Sequence, residues 1–112
     1  MLTKELVAAS TVPLVLSVLA GGESYGYALI QQVRELSAGE ITWTEGMLYP
    51  VLHRMEADDL LESEWKPAPT GHRRKYYRLL KKGRQALQTE QQQWLTVHRT
   101  LTKLWPPLPH SI

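Results

Sequence analysis

The sequence predicts a mainly α fold with a small β component (α+β), arranged as a winged helix-turn-helix that runs on into a long C-terminal helix. Three observations lead there. Apolar residues recur at helical spacing in three short segments and again in one long one. The third short segment carries the clearest stripe. Between it and the last helix, two alternating segments flank a turn rich in Pro and Gly, the mark of a hairpin. At 112 residues the chain suits a single domain.

The first segment, "LVAASTVPLVLSVLAGG", places Leu14, Val15, Val18 and Leu19 at helical spacing. Pro13 fits best in the first turn of its main helix, with Ser10 or Thr11 near the cap, and Gly21-Gly22 ends it. In "SYGYALIQQVREL", Ser24 is the expected N-cap, and Tyr27, Ile30, Val33 and Leu36 are expected to share a buried side. "EITW" reads as short and extended. Thr44 then caps "EGMLYPVLHRMEAD", where Leu48, Val51, Leu52 and Met55 follow an i, i+3, i+4, i+7 pattern. The opposite side carries Glu45, Tyr49, His53 and Arg54. Pro50 removes one backbone bond inside this helix and predicts a local bend or an irregular early turn. "LLESEWK" sets Leu61, Ser63 and Trp65 against Glu62, Glu64 and Lys66; "PAPTGHR" is a loop and "KYYRLL" the second strand. From Lys81 to Trp105 the chain reads as one helix, with Leu87, Glu90, Trp94, Val97, Leu101 and Leu104 in steps of three and four. That is a heptad seam with one polar interruption, the pattern of a dimerisation helix. The expected organisation is a winged-helix domain over 1–80, a dimerisation helix over 81–105 and a flexible tail over 106–112.

Net charge is only +2, yet it is segregated. No acid lies between Glu64 and Glu90, while Lys66, Arg73, Arg74, Lys75, Arg78, Lys81, Lys82 and Arg84 do. A basic block inside a folded domain points to a polyanion. The absence of Cys excludes disulfides, thiolate metal sites and cysteine nucleophiles, and fits a reducing compartment. The run "VPLVLSVLA" is too short to span a bilayer and has no flanks of a cleaved leader, so a cytoplasmic location without membrane contact is expected. His53, His72, His98 and His110 have no metal-ligand spacing with one another; no Ser/His/Asp set, paired catalytic carboxylates or phosphate-binding glycine loop is present. No cofactor and no catalysis are expected.

Three helices followed by a hairpin make a module whose third helix enters the DNA major groove while the hairpin forms a wing beside the phosphates. His72, Arg73, Arg74 and Lys75 then lie where a DNA backbone would pass. Thr44, Glu45, Tyr49 and His53 are the candidate groove residues; Glu45 would repel phosphate but could accept from cytosine N4. Ser24 and Tyr25, at the start of the second helix, could hold a phosphate or simply cap the helix. Of Tyr76 and Tyr77, which point to opposite faces, one should pack the wing onto the core and the other reach outward.

"LSVLAGGESYGYALIQQV", "GMLYPVLHRMEADDLLESEW" and "RRKYYRLLKKGRQAL" resemble the PadR family of bacterial and archaeal transcriptional regulators, over nearly the whole chain. The most specific parts are Gly26-Tyr27, Leu48-Tyr49-Pro50 with Leu52, and the run from Arg74 to Leu79. The single C-terminal helix resembles the compact subgroup. Relatives usually have Gly at the position of Asp59 and Thr at that of Leu80. Asp tolerates a left-handed turn, so the turn should survive; Leu cannot cap, so the last helix should begin less cleanly or about a residue later. The resemblance implies a homodimeric, ligand-responsive repressor bound to a near-palindromic operator in double-stranded DNA, its dimer interface formed by Leu87, Trp94, Val97, Leu101 and Leu104. It also implies that paired copies of Trp94 stack on a small hydrophobic or aromatic effector, often cationic, with Glu90 and His98 nearby; the plain alternative for Trp94 is a dimer-core aromatic. A rival reading keeps the fold but makes it a protein-interaction adaptor without sequence-specific DNA binding.

Overall fold

The computed structural model describes residues 1–107; the tail residues 108–112, including His110, lie outside the described residues. Element order is α1 (Lys4–Ala20), β1 (Ser24–Tyr25), α2 (Gly26–Leu36), α3 (Glu45–Ala57), β2 (Leu61–Pro67), β3 (Arg73–Leu79) and α4 (Lys81–Leu104). The three strands form one antiparallel sheet in the order β1-β3-β2. This is the mainly α winged-helix arrangement expected from the sequence. Among the described residues no helix is long and apolar enough to cross a membrane.

α1 starts earlier than its sequence suggests. Thr3 is its N-cap, the Thr3 hydroxyl accepting from the Leu6 amide at 3.1 Å, and the helix continues straight through Pro13. Ser10 and Thr11 are therefore interior residues; both donate their hydroxyls to the Val7 carbonyl. Pro13 cannot donate a backbone bond. Burial of Val15, Leu16 and Leu19 on the following turns holds the helix together regardless.

A second correction concerns Ser24 and Tyr25. They form the short β1, Ser24 opposite Tyr77 and Tyr25 opposite Tyr76, so the N-cap position of α2 falls to Tyr25 and not to Ser24. α2 begins at Gly26 with no side-chain cap. Its buried positions are Gly26, Leu29 and Val33, with Ile30 beside them, whereas Tyr27 and Leu36 are exposed. The stripe sits one position away from the expected one because Gly26, which has no side chain to reveal it, is its first member.

α3 matches its sequence signature. The Thr44 hydroxyl accepts from the Met47 amide at 3.2 Å, and Leu48, Leu52 and Met55 are buried with Val51 partly so. The helix is unbroken through Pro50. Asp59 has φ of 61°, the left-handed turn its position requires. The hairpin pairs Leu61 with Leu79 through to Pro67 with Arg73, so β3 begins two residues before the expected "KYYRLL". α4 begins at Lys81, with no delay, although Leu80 supplies no cap. The Leu80 amide instead donates to the Leu60 carbonyl at 3.0 Å, and Gly83 lets α4 lie directly against that carbonyl. α1, α2, α3, β2 and β3 all contribute to one core that includes Leu16, Leu29, Trp43, Leu52, Leu61 and Tyr77.

Candidate nucleic-acid interface

The N-terminus of α2, the outward side of α3 and the wing hairpin enclose an open groove. It brings together six of the residues singled out from the sequence: Tyr25, Tyr49, His53, Arg73, Arg74 and Lys75. Thr44 and Glu45 lie at the exposed start of α3 but do not line it, and Ser24 is a strand residue behind it.

Tyr49 is less free than its place on the polar side of α3 suggests. Its ring lies across Gly26, so close that a Cβ there would meet Tyr49 Cζ at 2.7 Å. Burial raises the Tyr49 pKa, and the Glu45 carboxylate adds to the effect. Tyr77, on the inner face of β3, is fully buried, and among the described residues its hydroxyl has no hydrogen-bond partner. Burial, with contributions from Glu56 and Tyr49, pushes its pKa up to about 12. Both phenols are therefore neutral at physiological pH. Tyr76 takes the opposite face, as strand alternation requires.

The wing cations are not equivalent. Among the described residues Arg73 is exposed and has no carboxylate within salt-bridge distance. The Arg74 guanidinium lies 4.4 Å from the centre of the Tyr25 ring, which in turn meets Tyr76 edge to face at 5.4 Å. That cation–π contact fixes a flexible side chain over a rigid strand. Lys75 is turned toward α3, with its ammonium 3.7 Å from the Glu56 carboxylate. On the outer face, Arg78 pairs with Glu62 and Glu64, and Lys66 pairs with Glu23 at 2.6 Å. The basic block is thus partly neutralised on its outer face and, at Lys75, within the groove as well.

Along α4, Leu87 packs on the core and Leu101 is half-buried, while Trp94, Val97 and Leu104 of the seam are exposed together with Leu95. The Trp94 indole donates to Glu90 at 3.1 Å. Beside it is an apolar hollow lined by Pro13, Leu14 and Ser17 of α1 and by Ile41. His98, one turn farther on, does not line that hollow.

Residues 15–89 match the Transcriptional regulator PadR-like family. The chain belongs to that family. It is 44% identical over 68 residues to a transcriptional regulator of Mycobacterium tuberculosis, a match covering 61% of this chain and 60% of that protein, so it spans about three fifths of that relative. Among solved structures, it resembles a PadR family transcriptional regulator from Eggerthella lenta, with 35% identity, TM-score 0.77, and coverage of 89% of this chain and 85% of the other. A PadR family regulator from Clostridium difficile is 32% identical with TM-score 0.75, covering 85% of this chain and 97% of its own. This PadR-like chain is accordingly a DNA-binding transcriptional regulator.

Four further residues line the PadR-like groove without being expected there from the sequence: Gly26, Tyr27, Trp65 and Tyr77. The helical period of α2 predicts Tyr27 on the buried stripe, which begins instead at Gly26 and leaves Tyr27 exposed. Trp65 stands directly opposite Lys75 across the hairpin and is 56% exposed. The sequence signal is its alternation with Glu64 and Lys66, which puts Trp65 on the face of Leu61 and Ser63; its exposure there is visible only in the fold.

Proposed function

We propose that this chain is a homodimeric repressor that reads a near-palindromic operator, one α3 and one wing per half-site, and is released by a small hydrophobic or aromatic molecule. Residues 1–80 act as the reading head and 81–105 as the dimerisation helix. The observation that carries the DNA-reading part is the groove itself, where Tyr49 and His53 of α3 face the same space as Arg73, Arg74 and Lys75 of the wing. A major-groove helix flanked by phosphate-binding cations is the geometry of sequence-specific binding. In this reading Ser24 and Tyr25 lead the backbone to the uncapped N-terminus of α2, whose first amides are available to a phosphate. Thr44 and Glu45 sit at the end of α3 nearest the duplex.

Dimerisation through Leu87, Trp94, Val97, Leu101 and Leu104 is supported by the exposure of Trp94, Val97 and Leu104, while Leu87 packs on the chain's own core and Leu101 is half-buried. The effector role of Trp94 and Glu90 is supported by the hollow beside the indole and by the adjacent Glu90 carboxylate, which suits a cation; His98 joins them in this reading only by its place one turn farther along α4. The test is the salt dependence of DNA affinity in Arg73→Ala and Arg74→Ala. Each lost phosphate contact should flatten the log–log slope by about 0.9. An unchanged slope in both would move the contact surface elsewhere.

A further inference from the structure

Glu56 is the one acid of the Glu56–Glu64 cluster that faces the wing's inner side, and its two oxygens are used separately. One accepts a hydrogen bond from the Ser63 hydroxyl of β2 at 2.5 Å. The other faces the Lys75 ammonium of β3 at 3.7 Å. A single carboxylate in the last turn of α3 therefore reaches both strands of the wing. The pair is only partly shielded, with Lys75 27% and Glu56 33% exposed at the side chain. A half-exposed ion pair of this kind is weak and exchangeable. A phosphate approaching the groove would meet Arg73 without a competitor, but would have to take Lys75 from Glu56.

We propose that Glu56, by bridging Ser63 and Lys75, is a positioning residue that holds Lys75 off the DNA phosphates and so trades non-specific affinity for discrimination. The inference rests on the wing being the phosphate-binding surface. Non-specific affinity comes almost wholly from counterion release by such cations. A cation engaged elsewhere contributes nothing to random sequence, and is surrendered to DNA only where α3 is docked closely enough to bring a phosphate to it. The Trp65 residue stands opposite Lys75 across the hairpin, and the buried Tyr77 ring lies 5.6 Å from the ammonium, so Lys75 has an aromatic contact as well as Glu56 on the inner side of the wing.

The test uses Glu56→Gln, which keeps the size of the side chain and an oxygen for the Ser63 hydroxyl. Affinity for a random-sequence duplex is measured across a range of salt concentrations for the parent, Glu56→Gln, Lys75→Met and the double variant. The expected result is tighter binding of random DNA by Glu56→Gln at low salt and a log–log slope steeper by about 0.9, one added phosphate contact. Both changes should vanish when Lys75→Met is the background. An unchanged slope with a lowered melting temperature would show that Glu56 only fastens the wing, and would overturn the proposal. The same gain in both backgrounds would also overturn it, because Glu56 would then act as a bulk charge without Lys75. Arg73→Ala measured alongside separates the two levels: if it fails to flatten the slope, the wing is not the phosphate surface at all.

Discussion

Gly26→Ala is the substitution whose effect follows most directly from one contact. A Cβ at residue 26 would stand 2.7 Å from Tyr49 Cζ and 3.0 Å from Cε1, and would fall still closer to the hydroxyl oxygen. Those distances are far inside van der Waals contact, so the ring must swing out of its slot or α2 must move off α3. Overpacking of this kind costs about 1–3 kcal/mol. Gly→Ala also removes freedom from the unfolded chain, which returns about 0.4–1 kcal/mol. The net expectation is a loss of about 0–2.5 kcal/mol on those two scales. The sharper quantity is the coupling with Tyr49, because Tyr49→Ala removes the obstacle. Urea unfolding of the parent, Gly26→Ala, Tyr49→Ala and the double variant should give an interaction energy of about 1–3 kcal/mol, with the double variant more stable than the sum of its parts. Additivity within about 0.5 kcal/mol would refute the contact. Operator binding by folded Gly26→Ala should also weaken more than random-DNA binding, since Tyr49 would leave the reading face.

Tyr77→Phe should be neutral or stabilising at pH 7, because it deletes a buried hydroxyl that lacks a partner. The parent should lose up to about 2–3 kcal/mol between pH 10 and 12: Tyr77 ionises near 10 when unfolded and near 12 when folded, so its contribution is complete below about pH 10 and falls as pH rises. Denaturation at several alkaline pH values should show that loss shrinking in Tyr77→Phe. His53→Ala should change preference among operator variants by about 1–3 kcal/mol at one position while leaving random-DNA binding nearly unaltered. The proposed α4 dimer predicts that the parent sediments as a dimer and Val97→Asp as a monomer; a dimer in both would place the interface elsewhere. A planar aromatic cation should quench tryptophan fluorescence, and Trp94→Ala should remove most of that quenching without unfolding the dimer.

The parts of this fold legible in the sequence are those whose signals are local. Leu48, Leu52 and Met55 lie within two turns of one another behind a Thr cap, and the hairpin is announced by Pro67, Pro69 and Gly71 between alternating residues. β1 carries no such signal, since two residues become a strand only through pairing with Tyr76 and Tyr77 far along the chain. Pro13 misled for the related reason that tertiary burial of α1 outweighs a local helix-breaking preference. At the site, the sequence puts Arg73, Arg74 and Lys75 on the wing, but it cannot show that Lys75 faces Glu56 while Arg74 lies on Tyr25. Those partners come from other elements. The Gly26-Tyr27 and Leu48-Tyr49-Pro50 motifs, separate in sequence, meet in a single contact between Gly26 and Tyr49.

The central claim is that two such chains read a symmetric DNA site through α3 and the wing. Selection of bound fragments from genomic DNA, followed by footprinting of the tightest one, tests it most directly. The account predicts enrichment of one near-palindromic sequence, with two protected half-sites whose centres lie about one helical turn apart, roughly 34–36 Å. Recovery of fragments with no shared sequence, or protection of one asymmetric site by a single chain, would contradict it.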